Sequence, residues 1–73
     1  MRYANRNAVV LGLGMTGLSL ARYLAREGAH VRVADTRSAP PHAHELATLV
    51  PGVPLVTGAF TDATFEGVDL IAI

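Results

Sequence analysis

Six residues near the amino terminus, Gly12-Leu13-Gly14-Met15-Thr16-Gly17, have the types and the spacing to hold a phosphate group. The three glycines follow the apolar run Val9-Val10-Leu11 at G-x-G-x-x-G spacing. The first lets a strand end in a tight turn, the second lets a phosphate approach the backbone, and the third lets a helix pack closely on the strand. The N–H groups of that helix's first turn have no intrahelical acceptors and lie at the positive end of its dipole, so they face an anion. Asp35 adds a second element, because an acidic residue about 20 residues beyond such a loop, at the end of the next strand, is placed to meet a ribose or base. The chemistry indicated is recognition of a nucleotide or dinucleotide. A P-loop is excluded: aligned on Gly12 and Gly17, its essential lysine falls on Leu18.

Each residue also has a plainer reading. The glycines could shape a strand–helix turn and nothing more. Asp35 could be a turn-forming aspartate, and Thr16 could serve only to start the helix. Arg37 has three readings: a solvated cation, a contact to a base, or a contact to the 2′-phosphate of NADP. His42 and His44 are two residues apart and do not share a helix face, so they make a poor metal site. Phe60 and Phe65 read as core residues rather than base-stacking ones, and Arg22 and Arg26 as a solvated stripe.

The rest of the composition narrows the possibilities. The chain has 73 residues, enough for one small domain that buries about 60% of its unfolded surface. Six arginines balance six acidic residues, which gives no reason to expect nucleic acid or an anionic membrane as partner. Lysine and cysteine are both absent, so neither a Schiff base nor a thiolate metal site can form. No apolar run approaches the roughly 20 residues needed to span a bilayer, and no cleavage-site pattern follows Ala8–Met15. The expected setting is cytoplasmic. The final stretch, Val68-Asp69-Leu70-Ile71-Ala72-Ile73, reads as a strand with no turn after it, as expected of an incomplete amino-terminal domain, residues 1–73, of a larger protein.

The elements needed to position these residues alternate. Asn7 to Leu11 reads as a strand buried on both faces. Gly17, Leu20, Ala21 and Leu24 recur at helical spacing, and Gly28 supplies the stop. His30 to Ala34 reads as a second strand ending at Asp35, and Pro40-Pro41 stiffen the loop before a short helix that runs to about Val50. Val53 to Thr57 reads as a third strand, Thr61 to Phe65 as one helical turn capped by Thr61, and Val68 to Ile73 as a fourth strand. Such alternation predicts an α/β, Rossmann-like parallel sheet of order 3-2-1-4 with helices on both faces. Its switch point, between strands 1 and 4, is where ligands bind.

Gly12-Leu13-Gly14-Met15-Thr16-Gly17-Leu18-Ser19, then Asp35-Thr36-Arg37 with Pro40-Pro41, then Gly58 and Asp69-Leu70-Ile71, together resemble the amino-terminal domain of the D-glutamate-adding Mur ligases of peptidoglycan synthesis. The resemblance covers nearly the whole chain. It implies a domain that holds the UDP part of UDP-N-acetylmuramoyl-L-alanine. Gly14, Met15, Thr16 and Gly17 would form the diphosphate cradle, with the Met15 and Thr16 N–H groups and the Thr16 hydroxyl facing it. Asp35, Thr36 and Arg37 would meet the uracil end. The family's Ser-Pro-Gly motif would begin after Ile73. The resemblance also implies an ATP- and Mg2+-dependent parent enzyme that forms an acyl phosphate, which the amine of D-glutamate then attacks. The ATP, metal and D-glutamate sites would lie in other domains, leaving these 73 residues non-catalytic and without a bound cofactor.

Two rivals remain at this stage. One is an NAD(P)-binding domain of an oxidoreductase. The other is a nucleotide-sensing module of the kind found on potassium transport proteins. Either would suit a bare acidic residue better than the D-T-R-x-x-P-P run.

Overall fold

The computed structural model describes residues 1–73. Its elements are β1 (Asn7–Leu11), α1 (Met15–Arg26), β2 (His30–Asp35), α2 (Ala43–Leu49), β3 (Leu55–Thr57), a 3-10 turn (Asp62–Phe65) and β4 (Leu70–Ala72). All strands pair in parallel, in the order β3-β2-β1-β4, the order expected from the sequence. The alternation of side chains along each strand divides the sheet into two different faces.

On one face Ala8 and Val10 of β1 lie in register with Val31 and Val33 of β2. They pack with Leu13, with Ala21 and Leu24 of α1, and with Leu46 and Val50, forming one buried cluster. Both α1 and α2 cover this face. Full burial of a residue such as Leu24 contributes roughly 1.5–3 kcal/mol.

The opposite face carries Val9, flanked in register by Arg32 and Ile71. Val9 and Ala34 are buried there, and so is Thr64 of the 3-10 turn. Helices proper cover only the first face; the second is crossed by the short 3-10 turn. Arg32 holds that turn in place, donating from Nη1 to the Ala63 and Thr64 carbonyls (3.3 and 3.5 Å) and from Nη2 to Glu66 O (2.8 Å).

Helix α1 stops where the sequence says it should. Gly28 has φ +90°, the Ala29 N–H donates to Leu24 O at 3.0 Å, and the Gly28 N–H donates to Ala25 O at 3.1 Å. That paired pattern satisfies the last carbonyls and requires the left-handed residue at Gly28.

The later elements are shorter than their apolar patterns. Strand β3 starts at Leu55 rather than Val53, because Pro54 has no N–H for the ladder and the Val53 N–H turns back to Val50 O. Strand β4 is confined to Leu70–Ala72. Helix α2 begins at Ala43, with the two prolines in the turn before it. Thr61 precedes the 3-10 turn as expected, and its N–H donates to the Thr64 hydroxyl at 2.9 Å. Phe60 and Phe65 correct the core reading. They are 38% and 37% exposed and pack edge to face, with centroids 6.3 Å apart. The loop carrying Phe60 and the turn carrying Phe65 lie on the thinly covered face, so the rings bury against each other instead of entering the α1–α2 core. No helix is long and apolar enough to cross a membrane.

Candidate functional site

The site is built at the carboxyl ends of β1 and β2. Residue Gly12 leaves β1 with φ +91°, and its N–H stays tied to Ala34 O of β2 at 2.8 Å. Leu13 then turns into the core, fully buried, and Gly14 becomes the N-cap of α1. Gly17, one turn later, faces Gly12 so closely that a Cβ there would overlap the Gly12 carbonyl oxygen. Two of the three glycines are therefore demanded by the fold itself.

Gly14 is not. Its φ of −87° suits any residue, and a Cβ built on it meets nothing within 4 Å. The space above Gly14 is open, and it lies at the mouth of the 12-residue helix α1. No side chain caps that helix, and its first turn contains no acidic residue. The N–H groups of Met15, Thr16 and Gly17, which the helix cannot satisfy internally, therefore meet no negative group of the protein. Met15 is 73% exposed, and Thr16 is exposed beside it.

The other half of the site is the Asp35-Thr36-Arg37 run. The Asp35 side chain is 1% exposed, whereas that of Arg37 is 53% exposed. Asp35 Oδ2 accepts from the Leu13 N–H at 2.8 Å and from Arg37 Nη2 at 2.7 Å. Its Oδ1 accepts from the Arg37 N–H at 2.8 Å and from Arg37 Nε at 3.0 Å. Two carboxylate oxygens offer about four acceptor sites, so this carboxylate is filled. The Arg37 guanidinium, followed by the Leu13 N–H, holds the Asp35 carboxyl well below the usual carboxylate range, against the opposing pull of burial. The sequence placed this carboxylate against base or ribose donors; the structure turns it inward, and only the guanidinium of the pair faces solvent. The Asp35 carbonyl also accepts the Gly58 N–H at 3.0 Å, which ties the end of β3 into the same corner.

The cradle and the Asp35–Arg37 pair thus form one connected unit, with exposed Thr36 between the paired residues. The unit is an open shelf. The cavities of the molecule lie elsewhere: about 330 Å³ beside Arg22, Arg26 and Leu49, about 280 Å³ beside Arg32 and Thr64, and about 160 Å³ beside Arg6 and Asp69. His42 pairs with Glu45, Nδ1 to Oε2 at 3.0 Å, and no three acidic or histidine side chains converge as a metal site.

Comparison with known proteins decides the family. The family described as "Mur ligase MurD-like, N-terminal domain" matches residues 6–73. The chain belongs to this family. Proteins named UDP-N-acetylmuramoylalanine–D-glutamate ligase are 51% identical in Chromobacterium violaceum, 47% in Dechloromonas aromatica and 41% in Nitrosomonas europaea, each over all 73 residues. The chain spans 16% of the length of each of these relatives.

One residue of this candidate site escaped the sequence reading. Leu13 contributes through its backbone N–H, and a backbone donor leaves no mark in residue type. Only the position of Leu13 between two glycines, facing the end of the neighbouring strand, hinted at such a bond.

Proposed function

We propose that this chain is the UDP-holding part of a ligase that adds D-glutamate to UDP-N-acetylmuramoyl-L-alanine in peptidoglycan synthesis. The diphosphate sits over Gly14, against the N–H groups of Met15, Thr16 and Gly17 and the Thr16 hydroxyl. The uracil end lies at the Asp35-Thr36-Arg37 corner, where the exposed guanidinium supplies the donors. The observation that carries this reading is Gly14: nothing inside the protein requires a glycine there, and a ligand approaching the backbone does.

The filled Asp35 carboxylate favours the ligase reading over an NAD-binding domain, in which the strand-end acid is offered to the ribose hydroxyls. We place ATP, Mg2+ and D-glutamate on other parts of the parent enzyme, since Leu18 stands where an ATP-binding loop needs lysine. When bound there, ATP activates the substrate carboxylate. The residues of this chain anchor and orient the nucleotide end of the substrate and leave the reacting carboxylate free. The reaction, with its ATP and nucleotide-linked substrate, belongs in the cytoplasm.

Calorimetric titration of the 73-residue chain with UDP-N-acetylmuramoyl-L-alanine, NAD and NADP tests the proposal. Heat with the UDP compound alone is the expected result. Heat with a dinucleotide alone overturns it.

A further inference from the structure

We infer that Asp35 is a positioning residue that couples the two ends of the nucleotide site, holding the phosphate loop through the Leu13 N–H and the base-side cation through Arg37. The inference rests on the proposed nucleotide site and assigns Asp35 a role within it that does not involve touching the ligand.

The geometry supplies the argument. Leu13 lies between Gly12 and Gly14, so its N–H fixes the orientation of the peptide that leads into the cradle. Its acceptor is Asp35 Oδ2, 22 residues further along the chain. That same oxygen accepts from Arg37 Nη2, while the other accepts from the Arg37 N–H and Nε. A bidentate guanidinium–carboxylate pair fixes orientation as well as distance. A rotation of the Arg37 fork therefore turns the carboxylate that holds the loop. The side chain is 1% exposed, which leaves the carboxylate no surface to offer a ligand.

The consequence separates this role from direct contact. A carboxylate that touches only the nucleoside matters for UDP and not for pyrophosphate. A carboxylate that sets the loop matters for both. Asparagine at 35 keeps the size but loses the charge and replaces one carboxylate oxygen with an NH2 donor, so either the Arg37 N–H and Nε or the Leu13 N–H and Arg37 Nη2 face a donor instead of an acceptor.

The test titrates UDP and inorganic pyrophosphate into the 73-residue chain and into Asp35→Asn, followed by amide resonances. Should Asp35→Asn fail to fold, Asp35→Glu, which keeps the charge but shifts its oxygens by one methylene, takes its place in both titrations. Val50→Ala, in the core away from the site, controls for loss of stability alone. The expected result is roughly tenfold weaker UDP binding and about threefold weaker pyrophosphate binding, an upfield shift of the Leu13 amide proton, and unchanged affinities in Val50→Ala. Weaker UDP binding with unchanged pyrophosphate binding overturns the coupling role and leaves the nucleotide site standing. Unchanged binding of both ligands, or equal losses in Val50→Ala, also overturns it. If the unmodified chain binds neither ligand, the nucleotide-site reading falls and the inference falls with it.

Discussion

Gly17 packs its α-carbon against the carbonyl group of Gly12, leaving no room for a methyl group between the end of β1 and the first turn of α1. The nearest atoms belong to backbone, which cannot move aside as a flexible side chain would. Gly17→Ala therefore has to push α1 away from the sheet and disturb its contacts with Val10. The expected loss is about 3 kcal/mol, large for a chain of this size. Urea denaturation measures it, and a variant as stable as the unmodified chain would show that the helix can shift without cost.

Gly14 should behave in the opposite way. Its backbone is extended and the space around it is open, so Gly14→Val should fold, at a cost of about 1 kcal/mol from the poorer N-cap. The valine side chain then occupies the place assigned to the diphosphate. UDP affinity should fall roughly tenfold or more, the scale of a lost charge-assisted contact. Calorimetry on the folded variant checks this, and full binding would remove the argument for a cradle at Gly14.

Much of the fold was legible because each local signal pointed the same way. Val9-Val10-Leu11 ending at Gly12 bounded the first strand to the residue, and the helical spacing of Gly17, Ala21 and Leu24 with the stop at Gly28 located the first helix. The third and fourth strands were harder to bound, because apolar type alone extended them to Val53–Thr57 and Val68–Ile73, whereas Pro54, with no N–H for the ladder, delays β3 to Leu55. Phe60 and Phe65 misled for a related reason: apolar type shows that a residue avoids water but not which neighbours it finds. At the candidate site, residue type pointed to the glycines, Asp35 and Arg37. The direction of the Asp35 carboxylate depended on a backbone donor, Leu13, and became visible only in three dimensions.

Asp35 also predicts an acid-dependent stability. Its folded-state pKa lies below its unfolded value of about 3.9, so its contribution is complete above pH 4 and is lost as pH falls toward the folded pKa. The melting temperature of the chain should therefore decline from about pH 4 downward. Asp35→Asn has no proton to gain at that position, so it should start lower at neutral pH and decline less steeply. Parallel slopes for the two proteins, by circular dichroism melts at matched ionic strength, would place the acid sensitivity elsewhere.

Arg32 offers a test of how the thinly covered face is held. Its guanidinium meets three carbonyls, of Ala63, Thr64 and Glu66, at the turn that leads back to β4. Arg32→Met keeps much of the apolar stem beside Val9 and removes all three donors. Hydrogen bonds from a charged group contribute about 1.5–3 kcal/mol, but Arg32 is only half-buried, so the lower end applies. Loosening of the turn should spread to β4, which pairs only with β1 and is three residues long. Amide exchange in Leu70, Ile71 and Ala72 should quicken roughly tenfold relative to the amides of β1 and β2, as a sub-global opening of that edge. Equal acceleration across all strands would instead mean that Arg32 supports the whole fold, and unchanged exchange in β4 would show that the turn holds without it.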